Sequence, residues 1–364
     1  MQHQRFKKFS RDPEAAKALS NRQITERALS IIAAIERYRV IPTSLLLRLV
    51  GGDRRNIYGH LQHLYHRGLI NRFCFFGPTG RPQEFNYFVD NQEALELLID
   101  RTRVDPNSLD FEQVKRNRDN WTPALGSQTE LMREAVDSEE AQGSSEGQRL
   151  FLKHELMISR FHGMLELAAL GSGGRVKLVA WYQGPILHRS IEAPKMTYRG
   201  GEWHQEEGTE RIPHRPDALF TIQTHDDSDP RHFFYEADRK RTNTTRMIKK
   251  LRGHFHYIAK AKQHRTDYGI QRIRAVLTET LDTNWAETLR IAAQHPVVSG
   301  PKPSELFWFT ASQLFTKPIP NDGKQNATPR SPAQYHLAHP ELIFRPLWFA
   351  PVDTQGSKPR SLLD

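Results

Sequence analysis

The chain has 364 residues, 37% of them apolar, and is long enough for two domains that each bury a core. Its 52 Lys and Arg against 42 Asp and Glu give a net charge of +10 and a pI near 9.7, which points to a polyanionic partner or an anionic membrane surface. The single cysteine, Cys74, excludes an intrachain disulfide and any multi-cysteine zinc site, and its expected role is that of a small buried hydrophobe.

No apolar run approaches the roughly 18 residues needed to span a bilayer, and the N-terminal stretch MQHQRFKKFSRDPEAAKALSNRQ lacks the apolar core of a signal peptide. The expectation is a cytoplasmic protein with no membrane partner. Residues 1–22 are basic and polar and read as an arm. A compact segment follows at 23–103, then a charged stretch at 104–148 with few periodic apolar positions, which reads as a linker. A second domain is expected over 149–350 and a tail over 351–364.

In the first segment, Ile24, Ala28, Ile31, Ile32 and Ile35 recur at helical spacing, with Asn21 upstream as a cap. A short helix, PTSLLLRLV, follows, capped by Thr43 or Ser44. Gly51 and Gly52 then break the chain, and Asp53 caps a third helix whose Ile57, Leu61, Leu64 and Leu69 form one apolar stripe. Three helices with a tight break before the third give helix-turn-helix order. Two alternating stretches around GPTGRP complete it as a hairpin, so the segment reads as a winged helix.

In that arrangement the third helix enters the major groove of double-stranded DNA. Its exposed positions would be Arg54, Arg55, Asn56, Tyr58, Gln62 and His63. Arginine matches guanine, and asparagine or glutamine matches adenine, while Arg72 and Arg81 on the hairpin would meet phosphates. The same polar residues could instead be a solvated face used for protein contact.

In the second segment, Leu152, Leu156, Ile158, Phe161, Leu165 and Leu167 mark a helix that ends at Gly171, Gly173 and Gly174. Strands are predicted at RVKLVAWYQ, DALFTIQ, HFFYEAD, IRAVLTE and ELFWFTA, with a helix around NWAETLRIAAQ. The fold class is therefore α+β: a winged helix-turn-helix joined to an α/β sandwich with a mixed sheet. Residues 239–266 read as mostly helical and carry ten Lys or Arg and no acid, with Arg246, Lys249 and Lys250 as candidate phosphate contacts. The aromatics Trp181, Tyr182, Trp308, Phe309 and Trp348 are expected in the core.

Asp217 begins one strand, and Glu236 and Asp238, two apart, share a face near the end of the next, antiparallel strand. The hairpin brings all three carboxylates together. Hard oxygen ligands of this kind suit Mg²⁺ or Mn²⁺, which would polarise a phosphodiester and activate water. The alternative is an ion-pair network in which Glu236 and Asp238 bond with Arg239, Arg241 or Arg246. Among the 17 histidines, His254 and His256 are two apart on a helix and so point to different faces. This makes them poor joint metal ligands and favours solvated or phosphate-contacting roles.

RPDALF and FFYEADRKR resemble the first two motifs of the restriction-endonuclease-like, PD-(D/E)XK, core. With the winged helix, KHELMISRFHGMLELA before the sheet and RPLWFAP near the end, residues 24–350 also resemble the replication-relaxation family of plasmid and mobile-element proteins. That resemblance implies DNA binding in replication, mobilisation or relaxation, with replication or transfer proteins as further partners and a homodimer as one assembly. It also implies Asp217, Glu236, Asp238 and Lys240 as catalytic residues. The chain departs from the nuclease pattern by placing Asp238 where the core has lysine, so the positive charge would have to come from Lys240 or from the following helix, at Arg246 or Lys249.

Overall fold

The computed structural model describes residues 11–20, 23–76, 82–102, 104–121, 144–226, 229–239, 243–315, 339–353 and 358–364. The chain is α+β and divides into two compact units, Met1–Gly163 and Met164–Asp364. The division falls inside a single helix, Ser144–Gly171.

Unit one opens with α1 (Pro13–Ser20) and α2 (Glu26–Tyr38). The cap of α2 is Thr25, whose hydroxyl accepts from the Ala28 amide at 3.2 Å; Asn21, the expected cap, lies outside the described residues. Leu29, Ile31, Ile32 and Ile35 form its buried face, which packs on α3 (Thr43–Val50), α4 (Arg54–His66) and α5 (Gln92–Thr102). Neither Thr43 nor Ser44 caps α3. The Thr43 hydroxyl donates to the Phe85 carbonyl at 2.7 Å, and the Ser44 amide donates to Glu84 at 2.8 Å, so both tie α3 to a neighbouring strand.

Gly51 and Gly52 adopt φ of 65° and 88°, a region open to glycine at little cost, and turn the chain sharply between α3 and α4. Asp53 then caps α4 by accepting from the Asn56 amide at 2.9 Å, as expected. Strands β1 (Ile41–Pro42), β2 (Asn71–Phe76) and β3 (Pro82–Phe88) form an antiparallel sheet in the order β1-β3-β2. The hairpin tip, with Arg81, lies outside the described residues.

Part of the expected linker is helical. Helix α6 (Phe111–Arg116) is fastened to unit one by Arg39, whose guanidinium meets Asp110 at 3.0 Å and Gln113 at 3.1 Å. The start of α7 (Ser144–Gly171) adds Leu152 and Leu156 to a core of Val40, Phe73 and Phe88, and His162 stacks on Tyr38 at 4.3 Å.

Unit two is built on a five-stranded mixed sheet in the order β10-β9-β8-β7-β4. Its strands are β4 (Val176–Gln183), β7 (Ala218–Thr224), β8 (Arg231–Asp238), β9 (Ile273–Thr280) and β10 (Phe307–Ala311). Pairings β4–β7 and β7–β8 are antiparallel, whereas β8–β9 and β9–β10 are parallel. The central strands β8 and β9 are almost continuously buried, on both of their faces. Leu219, Phe234, Val276 and Phe309 pack against Met247 and Leu251 of α8 (Thr244–Phe255) and Leu289 of α10 (Thr283–Ala292), whereas α9 (His264–Tyr268) precedes β9.

Two features were not expected. A long hairpin of β5 (Arg189–Arg199) and β6 (Glu202–His214) turns at Gly200 and Gly201 and packs against α8. The approach is close enough to need Gly253: a Cβ there would stand 3.0 Å from both Ile212 Cγ2 and the Pro213 carbonyl oxygen. The expected tail also joins the fold, since Arg360 bridges to Trp348 and Leu362 is buried. Trp308, Phe309 and Trp348 are core residues as expected, but Tyr182 is 50% exposed, and Cys74 is only partly buried. No helix among the described residues is long and apolar enough to cross a membrane.

Candidate nucleic-acid interface and acidic site

The first two turns of α4 project Arg54, Arg55, Asn56 and Tyr58 into solvent. Arg54 lies over the Tyr58 ring at 5.4 Å and donates to its hydroxyl at 3.1 Å, so two candidate contacts form one pre-ordered pair. Arg55 has no ion pair among the described residues. Gln62 is half-buried. His63 is 4% exposed and Arg72 is 7% exposed, which corrects their expected roles as contacts with DNA. Arg72 is held inside the fold: its guanidinium lies 4.0 Å from the Tyr65 ring centroid and 4.6 Å from that of Phe85. Its sequence position at the start of a strand did not disclose this, because arginine stacked on aromatics and arginine on phosphate share one sequence appearance.

In unit two, Asp217, Glu236 and Asp238 do gather at one end of the sheet. Asp217 donates its amide to the Tyr235 carbonyl at 3.0 Å, and its carboxylate accepts from the Ala237 amide at 2.8 Å. Glu236 is 2% exposed and bonds with two residues of α8: Lys250 on one oxygen and His254 Nε2, at 2.7 Å, on the other. Asp238 accepts from the Trp285 indole of α10 at 3.0 Å. Burial opposes the charge of Lys250, but Glu236, Asp217 and Asp238 outweigh it and raise the ammonium pKa above its ordinary value.

The cation at this acidic end is therefore Lys250. Each carboxylate already holds a protein donor, and no three His, Cys, Asp or Glu side chains among the described residues are grouped to hold a metal ion. This corrects the ligand set of Asp217, Glu236 and Asp238 expected for Mg²⁺ or Mn²⁺; the residues do not fit the ion, and no catalytic step follows through it. Lys240 lies outside the described residues. The ion-pair alternative holds in kind for Glu236, whose partners are Lys250 and His254; Arg241 lies outside the described residues. Positions 250 and 254 are four apart on a helix, a spacing that places both on one face and was available in the sequence.

The cationic helix is also more occupied than expected. Lys249 binds Glu210 at 3.0 Å, and Arg252, 2% exposed, binds the same carboxylate at 2.7 Å and the Pro194 carbonyl. Arg246 is exposed and makes no ion pair among the described residues. His254 is 1% exposed, which corrects its expected solvated role. Beside it His214 is buried, stacked on Tyr257 at 3.8 Å and edge-on to His254 at 4.7 Å. Burial first, then the neighbouring His254 and Lys250, pushes the His214 pKa well below its ordinary value, so it is neutral. On the opposite sheet face, the Tyr235 hydroxyl donates to Glu279 at 2.7 Å, and burial followed by that carboxylate raises its pKa.

No protein-family model matches the chain, and comparisons with curated proteins and with solved structures also find no match.

Proposed function

We propose that this is a DNA-binding protein of a plasmid or mobile element. Unit one acts as a winged helix whose α4 reads duplex DNA, and unit two is a restriction-endonuclease-like scaffold whose acidic end is closed by a lysine. The observation that carries this reading is the exposed start of α4, where Arg54, Arg55, Asn56 and Tyr58 stand together on a rigid, capped helix. The element order α2-α3-α4-β2-β3 with β1 on the sheet supports the winged-helix part, and the net charge of +10 supports a polyanion as the partner. The likeness of RPDALF and FFYEADRKR to the nuclease core, with the wider likeness over residues 24–350, supports the scaffold and the mobile-element setting.

Titrating a labelled duplex with the protein at several salt concentrations tests the reading. Phosphate neutralisation predicts affinity that falls linearly with log salt, by about 0.9 per contact on a log-log plot. Absence of affinity, or affinity indifferent to salt, removes it. Incubation of supercoiled plasmid with Mg²⁺ or Mn²⁺ tests the scaffold part: the plasmid stays supercoiled, and nicking abolished by Glu236→Gln would restore the endonuclease reading.

A further inference from the structure

We infer that a hollow beside Gly59 seats the sugar–phosphate backbone of duplex DNA. This rests on the DNA-binding reading and extends it from the base-reading residues to Arg27, Gly59 and His60 beside them. Two observations meet there. The hollow has a volume of about 350 Å³, and its lining includes Arg27 from α2, the cap residue Asp53, and Arg55, Asn56, Gly59 and His60 from α4. Arg27, which donates to the Gly51 carbonyl, and Arg55 outnumber the one carboxylate, Asp53, so the lining keeps a net positive charge.

The second observation is Gly59 itself. It occupies an exposed position within a 13-residue helix, where glycine weakens the helix relative to alanine. Packing inside the fold does not call for it, since a Cβ there would meet nothing within 4 Å. The turn at Gly51 and Gly52 has a backbone reason for glycine, and Gly253 has a packing reason; Gly59 has neither. A missing side chain on an exposed helix beside two arginines fits close approach by something from outside. The ligand chemistry suited to arginine, asparagine and bare helix backbone is a phosphodiester strand.

The test compares wild type with Gly59→Ala and Arg27→Gln, using a short fluorescein-labelled duplex of arbitrary sequence, fluorescence anisotropy and increasing KCl, with melting temperatures measured in parallel. Gly59→Ala is expected to raise the melting temperature while weakening binding about ten-fold, two changes of opposite sense that a purely structural role would not give. Arg27→Gln is expected to lower the salt slope by about 0.9. If wild type binds and Gly59→Ala binds equally well, the hollow is not the seat, and the DNA-binding reading stands without it. If wild type itself shows no salt-dependent binding, the reading falls and takes this inference with it.

Discussion

Replacing Lys250 by methionine should destabilise unit two far more than neutralising its partner by Glu236→Gln. The asymmetry comes from exposure. The Glu236 side chain is 3% exposed and that of Lys250 is 35% exposed, so the carboxylate is the member of the pair that cannot retreat to water. In Lys250→Met the buried carboxylate keeps only His254, at 2.7 Å, and the Coulombic compensation is lost. Breaking a buried pair this way costs about 3–5 kcal/mol, and the partial solvation of the ammonium places the expectation near about 3 kcal/mol. In Glu236→Gln an acceptor remains and the lysine can turn outward, for about 1 kcal/mol. Five of the six tryptophans lie in unit two, so fluorescence during urea unfolding reports on it selectively. With a slope of about 2 kcal/mol per molar urea, Lys250→Met should lower the midpoint by about 1.5 M. A midpoint within error of wild type, or a larger loss for Glu236→Gln, would refute the assignment of Lys250 as the cation that closes the acidic end.

Arg72→Ala should lower the stability of unit one by about 2 kcal/mol, because the guanidinium packs between Tyr65 and Phe85; a normal urea midpoint with weakened DNA binding would instead return Arg72 to the interface. Gly253→Ala should cost about 1–3 kcal/mol, read by the same unfolding curve, since its Cβ forces β6 away from α8; an unchanged midpoint would mean that the hairpin yields freely. His162, buried against Tyr38, has its pKa pushed well below the ordinary value by burial first and Arg37 second. The unfolded chain therefore takes up a proton that the folded chain refuses, and stability falls as pH drops below about 6.5, by up to about 1.4 kcal/mol per pH unit. His162→Phe should flatten that acid limb in denaturation measured from neutral to mildly acidic pH, and an unaltered slope would contradict it.

Periodicity and turn chemistry were enough to find most elements of both units, because Ile31, Ile32 and Ile35 on α2 and the apolar runs of β7 to β10 declare their faces directly. The hairpin β5–β6 escaped because its strands are largely solvated and carry a mixed polar pattern with no apolar alternation strong enough to mark them. At the acidic end, the position of the three carboxylates followed from strand register, yet their partners did not. Lys250, His254 and Trp285 come from helices that cross the sheet, and such a crossing is set by packing of Met247, Leu251 and Leu289 that no local spacing encodes. Arg72 and His63 misled for the complementary reason: long polar side chains read as exposed until an aromatic cradle or a helix neighbour covers them.

The most direct measurement is the salt dependence of duplex binding for wild type beside the double substitution Arg54→Ala, Arg55→Ala, whose side chains are exposed and whose loss should leave the fold intact. The account predicts salt-dependent binding by wild type and weaker binding by the variant at every salt concentration, with unchanged melting temperature. Equal affinities for the two proteins would contradict it, since the exposed start of α4 would then have no part in holding DNA.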